Sequence, residues 1–354
     1  MDRHTAAAMS GGVDSSTAAW LLLQEGHRLT GLTLTLFDTG REDTAPGDAL
    51  QAAQAMGFPH RTLDLSQEFR AQVVEPFVRA YEGGRTPNPC VLCNRRIKFG
   101  ALMEYALALG CTGLATGHYA RLDYDAGSGR WLLKKAVHRA KDQSYVLAML
   151  TQVQLSRALF PLGRYSKEEV RDIARQAGLT CAQRPESQDI CFVPDGDYGG
   201  FLRRYTGQRY PEGPFLDEGG GVLGTHSGIV DYTVGQRRGL RVSSNRGRLY
   251  VKRIRTEDNA VILSGGEALF ARTLTAEGLN LIPCARLEGP VRLRAKIRYR
   301  MEEQPCTAEQ TGEDSLRLTF DQPQRAISPG QLVALYDGDT VVGGAVITGG
   351  GEEK

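Results

Sequence analysis

At 354 residues the chain exceeds what one hydrophobic core comfortably holds, so two or three domains are expected. With 41% apolar and 24% charged residues it has the make-up of a globular protein, which excludes a disordered or fibrous chain, and no run approaches the ~18 apolar residues of a membrane span. Net charge is only +2, yet residues 222–300 hold 15 Lys and Arg against 6 Asp and Glu, which suits a polyanionic partner as well as an Arg-rich solvated surface.

The chain opens MDRHTAAAMSGGVDSS and runs at once into a structured motif, with no stretch that reads as a secretory signal, so a cytoplasmic location is expected. Residues 6–9 read as a strand, followed by a Gly-rich turn and a helical pattern over 15–23. Residues 29–36 form the next strand, 38–48 a loop, and 49–56 and 68–81 return to helical spacing. Residues 114–116 close another strand, with Gly117 and His118 at its C-terminal end, the edge where open α/β sheets bind ligands. Beyond Gly196 glycines crowd residues 213–228, strands shorten and helical periodicity shrinks to brief turns. Past Phe270, strand-length runs are separated by turn signals such as Ser328-Pro329-Gly330 and Asp337-Gly338-Asp339, as in a closed barrel. The predicted fold is therefore α/β plus all-β: a parallel-sheet domain over 1–200, a small mainly-β domain over 201–270 and a β-barrel over 271–354.

The strongest local signal is Ser10-Gly11-Gly12-Val13-Asp14-Ser15-Ser16 between strand and helix. The glycines let backbone approach an anion, N–H groups at the helix start point at it, and the serines add hydroxyl donors. A capped helix start would need less than this. The lysine of the GxxxxGK[ST] loop is missing and Asp14 stands in its place, a residue suited to holding magnesium against a departing pyrophosphate. The loop resembles that of the pyrophosphatase-loop ATPases, a group of enzymes that transfer AMP.

The chain has seven cysteines, an odd number that does not resemble a disulfide framework. Cys90 and Cys93 lie in RTPNPCVLCNRRIKF, residues 85–99, and Cys191 in SQDICF, residues 187–192. Arg85, Arg95, Arg96 and Lys98 are expected to favour thiolate at Cys93. A zinc site would need four ligands, and no second CxxC occurs. Residues 291–300, VRLRAKIRYR, alternate with period two, which predicts a strand with one apolar and one wholly cationic face for RNA phosphate, enlarged by Arg237, Arg238, Lys252, Arg253 and Arg255.

Taken in order, SGGVDSS, TPNPxxxCN, ATGHYAR, KDQSY, ICF, GQRRGL and KIRYR resemble the bacterial and mitochondrial tRNA-specific 2-thiouridylases over residues 9–345. The resemblance implies an adenine-nucleotide hydrolase-like N-terminal domain, ATP with Mg2+, the anticodon loop of tRNA as substrate, and a sulfur-donor protein or sulfide source as partner. It places ATP at Ala8, Met9, Ser10, Gly11, Gly12, Val13, Asp14, Ser15, Leu34 and Gly117, and tRNA at Asn88, Pro89, Cys90, Lys141, Asp142, Gln143, Arg298 and Tyr299. It further implies that Cys191 carries sulfur as a persulfide and that Cys93 releases it by forming a disulfide. Two positions depart from the pattern: Leu34 where many members have Met, and Cys90 where many have Asp. With Cys90 a second reading arises, a [4Fe-4S] cluster held by Cys90, Cys93 and Cys191. A non-thiolating adenylate-forming ligase and a non-catalytic RNA-binding protein are the remaining alternatives.

Overall fold

The computed structural model describes residues 3–38, 44–179, 181, 190–242 and 247–351. Residues 39–43 of the predicted 38–48 loop, and Ser187, Gln188 and Asp189, lie outside the described residues.

The first seven strands are β1 (His4–Ala8), β2 (Arg28–Thr35), β3 (His60–Asp64), β4 (Gly113–Ala115), β5 (Ala120–Asp125), β6 (Arg130–Lys135) and β7 (Ala158–Leu159). Five of them form a parallel sheet in the order β3-β2-β1-β4-β7. β1 is short and made of small residues because it lies in the middle, covered on both faces, with Ala6 and Ala7 buried. Helix α1 (Val13–Gln24) follows it and stops where Gly26 turns left-handed at φ +80°. Helix α2 (Ala45–Ala55) starts earlier than its apolar spacing predicts, because Pro46 fits the first helical turn, and it buries Ala49, Ala52 and Ala53 beside β2. The chain leaves β1 to β2 on one side and returns as β4 on the other, so the loop after β1 and the residues after β4 meet at the switch point of the sheet.

β8 (Gly213–Leu216), β9 (Val222–His226), β10 (Tyr250–Arg255) and β11 (Ala260–Ser264) build a four-stranded sheet around Phe215, Val251, Val261 and Leu263. A nine-residue helix, Tyr198–Thr206, precedes it where the sequence suggests only turns. Gly199 and Gly200 hide the helical signal; a Cβ on Gly199 would collide with the Asp231 carboxylate. Phe201 and Leu202 of this helix join Phe69, Phe77 and Phe192 in one apolar cluster.

β12 (Phe270–Leu281), β13 (Val291–Lys296), β14 (Gln304–Gln310), β15 (Leu316–Arg325), β16 (Leu332–Asp337) and β17 (Thr340–Gly351) run in the order β12-β15-β14-β13-β16-β17, and β12 pairs again with β17. The barrel is thereby closed, with Leu293, Ala295, Cys306, Phe320 and Leu335 inside. The β5–β6 hairpin belongs to this sheet and not to the parallel one: Lys134 pairs with Thr340 of β17. Lys135, nearly buried, adds an ion pair to Glu303 at 2.6 Å and donates to the Gly338 carbonyl at 2.7 Å, and Arg130 Nε donates to the Ile282 carbonyl at 2.7 Å.

The predicted strand over 291–300 needs correction. Strand geometry ends at Lys296 and residues 297–300 turn away. Its outward cations are not an uncompensated row: Arg292 makes two bonds to Asp321 at 2.8 and 2.7 Å, and Arg294 bonds the Glu303 carbonyl at 2.6 Å. Lys252 and Arg255 likewise pair with Glu218 and Asp258. Acids on other segments, such as Asp321 and Glu218, and the nearby Asp258, relieve the repulsion that a lone strand would suffer.

Candidate functional site

The Gly-rich loop is shaped by two constraints. Gly11 sits at φ +68°, and a Cβ there would stand 2.9 Å from the Asp48 Cβ and 3.1 Å from the Ala45 carbonyl. Gly12 occupies the N-cap of α1 without a side chain to bond the first-turn N–H groups, which leaves that role to an anion. Ser15 Oγ accepts from the Ser10 N–H and donates to the Gly12 carbonyl, both at 3.1 Å, so it braces the turn. From the other side of the switch point Gly117 presses against the loop: a Cβ there would lie 2.9 Å from the Ser15 nitrogen.

A cavity of about 320 Å³ opens here, lined by Ala8, Met9, Ser10, Asp14 and Ser15 together with Leu34 and Gly117. Gly11 and Gly12 contribute by shaping the backbone, whereas the Val13 side chain turns into the core beside Val170 and Ala174. Apolar Ala8, Met9 and Leu34 suit a nucleobase, and the helix start suits phosphates, so the residues fit an adenine nucleotide. Asp14 lines this cavity but is already engaged: one carboxylate oxygen accepts from the Tyr119 hydroxyl at 2.7 Å, and Lys167 Nζ reaches both oxygens at 2.7 and 2.9 Å. A magnesium ion at Asp14 would have to share that carboxylate. Lys167 was missed in the sequence because it lies 153 residues from Asp14, at the start of a helix capped by Ser166.

Asn88 accepts the Cys90 N–H at 3.2 Å and so caps the short helix Pro89–Leu92, which delivers Cys93 to the start of a wide helical segment, Cys93–Leu102. That segment is broken at Gly100, where φ is −102° and ψ −105°, an irregularity typical of functional positions. Cys93 is buried, while Cys90 and Cys191 keep exposed surface. Burial pushes the Cys93 thiol up to about 12; Lys98 opposes the rise, and the neighbouring Cys191 and Cys90 add to it. Burial likewise raises Cys90 and Cys191, again against Lys98, and Cys191 also feels Cys90. The three sulfurs therefore share one neighbourhood under one ammonium. The expectation of a resting thiolate at Cys93 is overturned: desolvation outweighs Lys98.

A second cavity, of about 720 Å³, is lined by Asn88, Pro89, Cys90, Arg298 and Tyr299, with Ile190 beside Cys191. It shares Lys98, His118 and Gln143 with the nucleotide cavity, so the two spaces meet across three side chains. Among the described residues no three His, Cys, Asp or Glu side chains are arranged to hold a metal ion. Cys90, Cys93 and Cys191 supply the thiol donors that a [4Fe-4S] cluster takes, and the raised Cys93 thiol is no bar to it, because iron binding would itself displace the thiol protons.

A third cavity, of about 860 Å³, lies between the hairpin and the barrel, walled by Lys135, Arg139, Lys141, Arg294, Lys296 and Arg300, and it reaches Asp14 and Tyr299. Of the predicted tRNA contacts, Lys141 lines this space. Asp142 lines it as well, but its carboxylate is engaged by the protein, accepting from the Ala136 N–H at 2.8 Å and the Ser144 hydroxyl at 2.7 Å. Gln143 accepts the Tyr119 N–H at 3.0 Å while still facing all three cavities. Arg298 is half-buried and donates to the Ala326 carbonyl at 2.5 Å and the Ser328 hydroxyl at 3.3 Å. Tyr299, 38% exposed, leans 5.9 Å from the ring of Tyr145 and stands where the second and third cavities join.

Family models cover most of the chain. They are described as a tRNA methyl transferase HUP domain over residues 3–195, a tRNA methyl transferase PRC-barrel domain over 199–265 and an aminomethyltransferase β-barrel domain over 271–347. The tRNA-specific 2-thiouridylase MnmA 2 of Thermoanaerobacter sp. strain X514 is 46% identical over 358 residues, 98% of each chain. The tRNA-specific 2-thiouridylase MnmA 1 of Caldanaerobacter subterraneus is 45% identical, and the tRNA-specific 2-thiouridylase MnmA of Clostridioides difficile strain 630 is 42% identical, each again covering 98% of both chains. By this likeness along 98% of its length, and with three domain models that follow one another from residue 3 to 347, the chain belongs to the tRNA-specific 2-thiouridylase family.

Proposed function

We propose that this chain is an ATP-dependent tRNA-uridine 2-sulfurtransferase that thiolates the wobble uridine in the anticodon loop. The observation that carries the reading is the shared wall of Lys98, His118 and Gln143, on one side of which lies the nucleotide cavity and on the other the pocket of Cys90, close to Cys93 and Cys191. A uracil taken out of the anticodon stack into the second cavity can present its C2 oxygen to a nucleotide held on the loop; unstacking costs a few kcal/mol, least in a single-stranded loop.

The C2 oxygen attacks the α-phosphorus of ATP and pyrophosphate leaves along α1, whose N-terminus stabilises it. Magnesium, held at Asp14, would neutralise that pyrophosphate. Cys191, exposed, attacks the outer sulfur of a persulfide on a donor protein, whose own thiolate leaves, and holds that sulfur as a persulfide, whose outer sulfur in turn attacks C2 and expels AMP. Cys93 then attacks the inner sulfur, forming a disulfide with Cys191 and leaving sulfur on the base. Lys98 is the group that lowers the cost of each thiolate in turn. Lys141, Lys296 and Arg300 hold RNA phosphate in the third cavity. Free cysteines and an RNA substrate support a cytoplasmic setting, and among the described residues no helix is long and apolar enough to cross a membrane. The boundaries 1–200, 201–270 and 271–354 are proposed as catalytic, central and RNA-binding domains.

The test is to incubate the protein with ATP, magnesium, a persulfide donor and unmodified tRNA, then digest the RNA. Accumulation of 2-thiouridine by the wild type, and its absence with Cys191→Ser, is the expected pair of results; wild-type rates from Cys191→Ser would refute the relay.

A further inference from the structure

We propose that His118 is a catalytic base of this reaction, taking the N3 proton of the target uracil as the C2 oxygen bonds to phosphorus and returning it once sulfur has replaced that oxygen. The inference rests on the thiolation reading and adds to it the group that manages the proton.

Among the described residues, two titratable side chains line both the nucleotide cavity and the thiol pocket, Lys98 and His118. Lys98 is the cation that acts on all three thiols and has no lone pair to give. His118 follows β4 at the ligand edge of the sheet and is 8% exposed. Its Nδ1 lies 2.7 Å from Thr116 Oγ1, and its ring is fixed between Phe160, edge-on at 6.1 Å and 84°, and Phe99, tilted at 6.1 Å and 39°. We take the tautomer in which Nδ1–H is donated to Thr116 Oγ1, which leaves the Nε2 lone pair free to accept a proton. Burial first, then Lys98, holds its pKa well below the usual histidine value, so the imidazole is neutral and ready to accept. The other charged or titratable groups on these walls are Asp14, Cys90, Arg298, Arg300 and the tyrosines; none lines both spaces.

The chemistry needs such a group. When the O2–Pα bond forms and the bond from Pα to pyrophosphate breaks, the uracil ring carries a positive charge unless the N3–H electrons fall into a C2=N3 double bond and the proton departs. Because that proton becomes acidic only as O2 bonds to phosphorus, a weak, neutral base in place suffices. After the outer persulfide sulfur has displaced AMP from C2, and the bond between the two sulfurs has broken in favour of a bond between Cys93 and Cys191, the electron pair on the base-bound sulfur moves in to form C2=S. N3 then takes its proton back from His118, which ends the cycle neutral, as it began.

The experiment uses the full chain with unmodified tRNA, ATP and magnesium, following AMP and 2-thiouridine in single turnover. His118→Gln and His118→Asn are expected to lower the adenylation rate at saturating ATP by about 100-fold, with ATP KM and thermal midpoint unchanged, and added imidazole is expected to restore part of the rate to His118→Ala. A rate that recovers fully at high ATP would reduce His118 to a wall of the nucleotide site and overturn the proposal. So would wild-type rates in the variants, or no response of His118→Ala to imidazole. Failure of the wild type itself to make 2-thiouridine would instead strike the thiolation reading.

Discussion

The ion pair between Lys167 and Asp14 makes an asymmetric prediction. The Lys167 side chain is 4% exposed and that of Asp14 33%. Asp14→Asn removes the carboxylate that both faces and neutralises the buried Lys167 ammonium, which costs about 3 kcal/mol. Lys167→Met leaves a carboxylate that still reaches water and still accepts the Tyr119 hydroxyl, so the loss is nearer 1–2 kcal/mol. Because the two changes remove the same interaction, the double variant should recover about 2 kcal/mol relative to the sum of the singles. The chain has two tryptophans, and Trp20 of α1 packs in the cluster that contains Val170 and Ala174 of the Lys167 helix. Urea titration followed by Trp20 fluorescence in a Trp131→Phe background therefore reads the region in question, with the midpoint compared at constant slope. Equal losses from the two single variants, or additivity within about 0.5 kcal/mol, would refute the reasoning.

Three further outcomes are expected. Iodoacetamide at pH 8 should label Cys90 and Cys191 before Cys93, as read by peptide mass, since of these three Cys93 alone is both buried and pushed up to about 12; the same shift means that the fold keeps the stability of the protonated Cys93 thiol below pH 9 and loses it between 9 and 12, because the unfolded chain releases its proton first. Lys296→Ala should weaken tRNA binding and reduce the slope of log affinity against log salt by about 1, whereas Arg292→Ala, already bonded to Asp321, should leave that slope unchanged; filter binding at several salt concentrations separates them. Gly11→Ala should cost about 1–2 kcal/mol of backbone strain at φ +68° and raise the ATP KM, with little change in tRNA affinity.

What was legible in the sequence is what local pattern can encode. The small-residue strand, the Gly-rich turn and α1 lie within some twenty residues, and their order alone places a glycine loop and a helix N-terminus at a strand end. The closed barrel was likewise readable from runs and turns. The rest depended on partners far along the chain. A count of cations near Cys93 predicts thiolate, but burial decides the matter and no count reveals burial. The row of arginines in β13 looked unopposed because Asp321 and Glu303 arrive on other segments. Lys167 carries no motif of its own, and Asp142 reads as an exposed polar residue until its bonds to Ala136 and Ser144 are seen.

The β5–β6 hairpin bears on how this chain could be dissected. A fragment ending at residue 200 would keep the nucleotide loop and the thiols, yet it would strip β6 of β17 and Lys135 of Glu303, exposing an open strand edge beside a stranded buried cation. Such edges recruit other chains. The hairpin leads directly into residues 139–143 and is bonded to the turn between β16 and β17 by Arg121 to Asp339 and by Lys135 to the Gly338 carbonyl, so that stretch would lose its anchor as well.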